Sequence, residues 1–179
     1  MIQEVMTQED KILLLRDLCG RLLYGVKAYI KNWSKLDRKY YEGIYTVKSI
    51  DLSLNTIVAD SEKSSVEVIV GDDDYEIKPY LRSMSNMTEE EWEDYQKIRM
   101  IDWVDGDING TFINACSIID WLNAHHFDFR DLIEKGLAID ATGLNIYWVM
   151  TIKIEDGIDD SWLNFKESFQ LTFIDDFKN

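Results

Sequence analysis

A chain of 179 residues and 21.0 kDa fits one domain or two small ones. With 46% hydrophobic residues it has enough apolar surface to offset chain ordering, while one proline, nine glycines and no long uncharged apolar run exclude collagen-like, proline-rich and helical membrane-spanning classes. The net charge of -15 belongs to the later part: residues 1–60 carry nine basic and eight acidic side chains, residues 61–179 ten and twenty-six. That acidity disfavours nucleic acid and anionic membrane as partners and allows a basic protein face.

In chain order, Thr7 and Asp10 mark a helix start, and Ile12, Leu14, Leu15, Leu18, Leu22 and Leu23 recur at three- and four-residue spacing, which predicts a helix over about 8–23 ending at Tyr24-Gly25. Val26, Ala28 and Ile30 then alternate with Lys27, Tyr29 and Lys31, the period of a half-buried strand. Further strands are predicted at 44–52, 56–59, 64–70 and 75–77, with Lys78-Pro79 ending the last because proline donates no ladder hydrogen bond. Thr88 followed by Glu91 forms a capping box and predicts a helix over 89–100. A polar loop, 102–110, leads to a third helix with Phe112, Ala115, Ile119 and Leu122 on one face and Trp121 beside it, ending at His125 or His126. A short helix over 127–135 closed by Gly136, strands at 145–154 and 169–174, and a turn of helix at 161–166 complete the reading.

The expected architecture is α+β: an N-terminal helix, a small bent antiparallel sheet or barrel, then a helical segment and a C-terminal strand pair. Residues 1–79 would hold the first helix and the sheet, and 80–179 the rest, packed as one unit with it. No basic segment followed by an apolar stretch opens the chain, and Cys19 and Cys116 are too isolated for a disulfide framework or a zinc site. A cytoplasmic location with both thiols reduced and buried is therefore expected, and the sequons at Asn32, Asn86 and Asn109 carry no meaning there.

Three blocks, 10–25 (DKILLLRDLCGRLLYG), 77–91 (IKPYLRSMSNMTEEE) and 119–141 (IDWLNAHHFDFRDLIEKGLAIDA), occur in an order that resembles a group of small acidic, uncharacterised proteins of gut anaerobes and their mobile elements. The resemblance covers about half of the chain, departs at Ser83, where that group has proline, and ends near Tyr147. It implies a mobile-element or phage context but no activity.

The sequence offers several candidates for chemistry. Asp105, Asp107 and Asn109 take positions 1, 3 and 5 of a calcium-type loop with Gly110 at 6, but Cys116 stands where the bidentate carboxylate belongs, so only weak calcium binding would follow. His125 and His126 with Asp128 suggest acid–base chemistry and a hydrolase; adjacent histidines diverge on either a helix or a strand, so packing at a helix end is the competing role. Phosphate-loop, dinucleotide and serine-elbow motifs are absent from the sequence, and no cofactor is expected. Trp33, Lys35, Arg38, Tyr40 and Tyr41 interleave base and aromatic, a pattern that holds nucleic acid or a protein partner. With the acidic face Asp72, Asp73, Asp74 and Glu76 they compose the expected surface of a non-enzymatic module for a protein partner. An acidic mimic of nucleic acid that inhibits a DNA-binding protein is the alternative drawn from net charge alone.

Overall fold

The computed structural model describes residues 6–100, 108–144 and 146–147, all within one compact unit, Met1–Tyr147. Helix α1 (Gln8–Arg21) begins where the Thr7 hydroxyl accepts the Asp10 N–H at 3.1 Å. It ends through a short 3-10 turn, Leu22–Tyr24, and a left-handed Gly25. Five strands follow: β1 (Lys27–Ser34), β2 (Lys39–Asp51), β3 (Thr56–Asp60), β4 (Ser65–Ile69) and β5 (Tyr75–Ser83). The next elements are α2 (Glu89–Met100), α3 (Ile108–Ala124) and two short strands, β6 (Phe127–Asp128) and β7 (Ile139–Asp140).

The sheet runs β4-β3-β2-β1-β5-β6, with β7 also paired to β5. It is an open path rather than a closed barrel: among the described residues β4 pairs only with β3, and β2 carries a register shift between Val47 and Ser49, the kind of irregularity that lets a strand bend. β1 lies at the centre, antiparallel to β2 and to β5, while β6 and β7 join β5 in parallel.

One sheet face is buried. Ala28, Ile30, Val47, Ile57, Ala59, Val68, Val70 and Ile77 pack with Leu14, Leu15 and Leu18 of α1 and with Leu132, Leu137 and Ala138 from the turn after β6. Removing a leucine side chain such as that of Leu18 from so closed a site costs about 2–5 kcal/mol. A second cluster joins Ile98 of α2, Trp121 and Leu122 of α3, and Phe127 of β6. Arg82, at the end of β5, covers this second cluster. Its guanidinium lies 4.5 Å from the centre of the Phe127 ring and donates to both carboxylate oxygens of Glu91, at 2.6 and 2.9 Å. Glu91 also closes the capping box, accepting the Thr88 N–H while its own N–H donates to the Thr88 hydroxyl.

Several expectations are corrected here. β5 does not stop at Pro79 but continues to Ser83, because Ala28↔Pro79 is the last antiparallel pair and the first parallel pair is Tyr80↔Ile139. The missing N–H therefore falls where the ladder changes partner, a position at which proline is tolerated. α3 already includes residues 108–110, which the sequence reading placed in a loop. The stretch 127–135 forms β6 and hydrogen-bonded turns instead of a helix, although a left-handed Gly136 does close it. Ala115 and Ile119 are exposed, because α3 turns Trp121, Leu122 and Ala124 inward. Ile12 and Leu23 of the leucine pattern also face solvent, as does Cys116, whereas Cys19 is half-buried and burial raises its thiol pKa. The predicted strands at 145–154 and 169–174 and the helical turn at 161–166 lie outside the described residues. Among the described residues no helix is long and apolar enough to cross a membrane.

The inward face of α1 also carries a fully buried ion pair. Arg21 donates through Nε to one Asp17 oxygen at 2.7 Å and through Nη2 to the other at 3.0 Å. The same Nη2 reaches the Phe127 carbonyl at 2.7 Å, and Arg130 donates to Asp17 at 2.8 Å. Removing one partner of such a pair leaves an uncompensated buried charge. Asp17→Ala should therefore cost about 3–5 kcal/mol in urea unfolding, whereas Asp17→Ala with Arg21→Met should recover a large part of that loss; equal midpoints for wild type and the single variant would contradict it.

Candidate functional site

The hairpin β1–β2 carries the aromatic and basic candidates. Its turn, residues 35–38, is tightened by Asp37, whose N–H donates to the Ser34 hydroxyl at 3.2 Å while its carboxylate accepts from Ser34 and from the Tyr41 phenol. These hydrogen bonds, that from Tyr41 foremost, hold the Asp37 carboxyl below its usual range. Arg38 completes the turn with φ 52°, the left-handed region.

Strand alternation decides which side chains share a surface. Ala28 and Ile30 point into the core, so Tyr29, Lys31 and Trp33 point away from it. Their register partners on β2 are Ile44, Glu42 and Tyr40, and on β5 Lys78 and Glu76 oppose Tyr29 and Lys31. The outer face is thus an alternating array of rings and charges. The Trp33 and Tyr40 rings meet at 4.8 Å, the Lys31 ammonium sits 4.6 Å above Tyr40, and the Tyr29 phenol donates to Glu42. Burial first, and then the hydrogen bond to Glu42, push the Tyr29 phenol up to about 12. Tyr41 lies on the opposite face, beneath the Lys39 ammonium.

The acidic candidates meet the same edge. The Trp33 N–H donates to the Asp74 carbonyl at 2.9 Å and the Lys35 ammonium pairs with the Asp74 carboxylate at 3.0 Å, tying the turn between β4 and β5 to the hairpin. Asp73, Asp74, Tyr75 and Glu76 line a shallow hollow with Lys31 and Tyr40. Asp72 is committed locally, its carboxylate accepting the Asp74 N–H. Two sequence segments some forty residues apart therefore form one surface from Trp33, Lys35, Tyr40, Asp73, Asp74 and Glu76, with Arg38 in its turn. Tyr29, Glu42 and Leu36 also belong to this surface; the period-two pattern beginning at Ala28 marks Tyr29, while Glu42 joins through the hairpin register with Lys31. Leu36, at the tip of the turn, is 92% exposed and Tyr40 54%.

The histidines are placed differently. α3 ends as His125 and His126 donate their N–H groups to Trp121 and Asn123 carbonyls, with His126 left-handed at φ 57°. The His125 ring stacks on Trp121 at 4.0 Å and its Nδ1 lies 2.9 Å from the Trp121 carbonyl. His126 turns the other way and stacks on Tyr147 at 3.6 Å. Asp128 reaches neither ring: its oxygens accept the backbone N–H groups of Arg130, Leu132 and Ile133. The three side chains do not converge. Of the calcium-type ligands, Asp105 and Asp107 lie outside the described residues and Asn109 is in the first turn of α3. Among the described residues, no group of three or more His, Cys, Asp or Glu side chains could hold a metal ion.

Burial, followed by the Arg21 charge, pushes His126 down to about 3. Since the unfolded side chain titrates near 6.5, the unfolded chain takes up a proton that the folded chain refuses. This contribution to stability is complete above about pH 6.5 and is lost progressively as pH falls toward about 3. His126→Phe, which keeps a ring on Tyr147, should show a shallower loss of stability than wild type across that window in urea titrations; parallel curves would show that His126 does not control it.

Compared with models of protein families, with curated proteins and with solved structures, the chain matches none.

Proposed function

We propose that the chain is a cytoplasmic, non-enzymatic protein-interaction module that docks through the outer face and tip of the β1–β2 hairpin. The observation that carries this reading is the union of the two candidate segments into one exposed surface whose rings are already held in place. Trp33 supports Tyr40, Lys31 caps it, and the turn that presents Leu36 is braced by Asp37 and by the Lys35–Asp74 pair. Pre-set aromatic side chains lose little conformational freedom on binding, which is why such residues dominate protein interfaces.

Charge separates this reading from the nucleic-acid ones. Asp73, Asp74 and Glu76 flank Tyr40, so a phosphate backbone approaching the rings meets carboxylates. A phosphate mimic needs an unbroken row of acids, and here Lys35 pairs with Asp74 and Lys78 with Glu76 at 3.1 Å. A protein face with a small apolar recess for Leu36 and Tyr40 and a polar rim of both signs suits the surface best. The two cysteines, both free, accord with a reducing compartment.

A photoreactive residue at position 36, with a control at exposed Lys63, tests the proposal in extract of the native host. One protein should be captured from position 36 alone. Excess wild type should compete, and Leu36→Asp with Tyr40→Ala should compete roughly thirtyfold less well, the loss of about 2 kcal/mol typical of an anchoring side chain. Equal competition by the two, or no capture specific to position 36, would overturn it.

A further inference from the structure

Where α1 meets the end of α3, three buried polar atoms have no hydrogen-bond partner among the described residues: Arg21 Nη1, Asn123 Oδ1 and His126 Nδ1. Their residues are 0%, 2% and 4% exposed. They belong to one junction. The His126 N–H donates to the Asn123 carbonyl, Arg21 donates to the carbonyl of Phe127 next to His126, and Asn123 packs against Gly20 so closely that a Cβ there would stand 3.1 Å from its amide nitrogen. Tyr147 covers the His126 ring, its hydroxyl accepting the Lys27 N–H and facing the carbonyls of Lys27 and Tyr80.

The chemistry of the three atoms defines what they can hold. Arg21 Nη1 is a donor and Asn123 Oδ1 an acceptor. The buried His126 ring is neutral beside the Arg21 charge and so has one donor and one acceptor nitrogen; the site takes the form with its proton on Nε2. Nδ1 of the neutral ring is then an acceptor. The junction thus offers one donor and two acceptors. A cation would meet the Arg21 guanidinium, and an anion would meet two acceptors beside the Asp17 carboxylate. A neutral molecule that accepts one hydrogen bond and donates two satisfies all three atoms, and water is the smallest that does so. Buried waters make about three such bonds to groups the chain itself leaves unmatched.

We propose that this junction is a binding site for one internal water, which accepts from Arg21 and donates to Asn123 and His126, and so fastens the end of α1 to the end of α3. Gly20 is part of the site, since it lets Asn123 approach the helix backbone. The proposal is independent of the hairpin and of any partner.

A high-resolution crystal structure of the full chain tests it directly. The expected result is one ordered water within about 3.2 Å of at least two of the three atoms. In solution, full-length protein with nitrogen-labelled histidine should show His126 as the Nε2–H form with a hydrogen-bonded Nδ1, and a long-lived water contact at its ring. Asn123→Leu should shorten that water's residence; if the variant does not fold, the two wild-type measurements still decide. The site is overturned if the junction is dry, if a water touches only one of the three atoms, if the atoms pair with one another, or if Nδ1 carries the proton.

Discussion

The buried Asp17–Arg21 pair is the constraint on which the arrangement of helices around the sheet depends. Both residues lie on the α1 face that also carries Leu14 and Leu18, so the helix cannot enter the core without taking two charges with it. A buried pair is tolerable only if its remaining donors and acceptors are matched. The Phe127 carbonyl and Arg130 provide part of that match, and both arrive from the segment after α3. An alternative packing of α1 that buried its leucines equally well would leave Asp17 and Arg21 unmatched.

The same segment explains why the chain from His125 to Tyr147 is so rich in directed hydrogen bonds. Asp128 gathers three backbone N–H groups, the Leu132 carbonyl accepts from Leu137 and Ala138, and Ala141 donates to Leu81. With little regular structure of its own, this stretch must satisfy its backbone through side chains and turns. Asp128, which reads in one dimension as a partner of His125 and His126, is occupied instead by these three backbone N–H groups.

Much of the architecture was legible because local rules and tertiary demands agree. Thr7 caps α1, Thr88 and Glu91 cap α2, and the alternation from Ala28 onward places the right residues inward. What stayed hidden depends on partners remote in sequence. Pro79 reads as a strand end unless one knows that β7 takes over from β1 at that residue. The leucine pattern of α1 conceals Asp17 and Arg21, because periodicity marks a face but not which charged residue will find its complement there. At the candidate surface, the ring-and-base pattern of the hairpin was visible in sequence; its closure against Asp74 was not, since no spacing rule brings residue 35 to residue 74.

The mixed pairing of β5 also bears on the order in which the molecule assembles. β1 to β4 form a meander joined by turns of a few residues, so their contacts close small loops at small entropic expense. The first half of β5 can join them as soon as it is made. Its second half cannot, because β6 and β7 come from beyond α3 and dock alongside rather than against the direction of β5. Residues 80–83 thus wait, with their ladder groups open, for a distant part of the chain to return, and long-range parallel pairing of this kind is slow to nucleate. Loop-closure entropy alone thus favours a two-tiered assembly, the meander under α1 first and the β6–β7 clasp last.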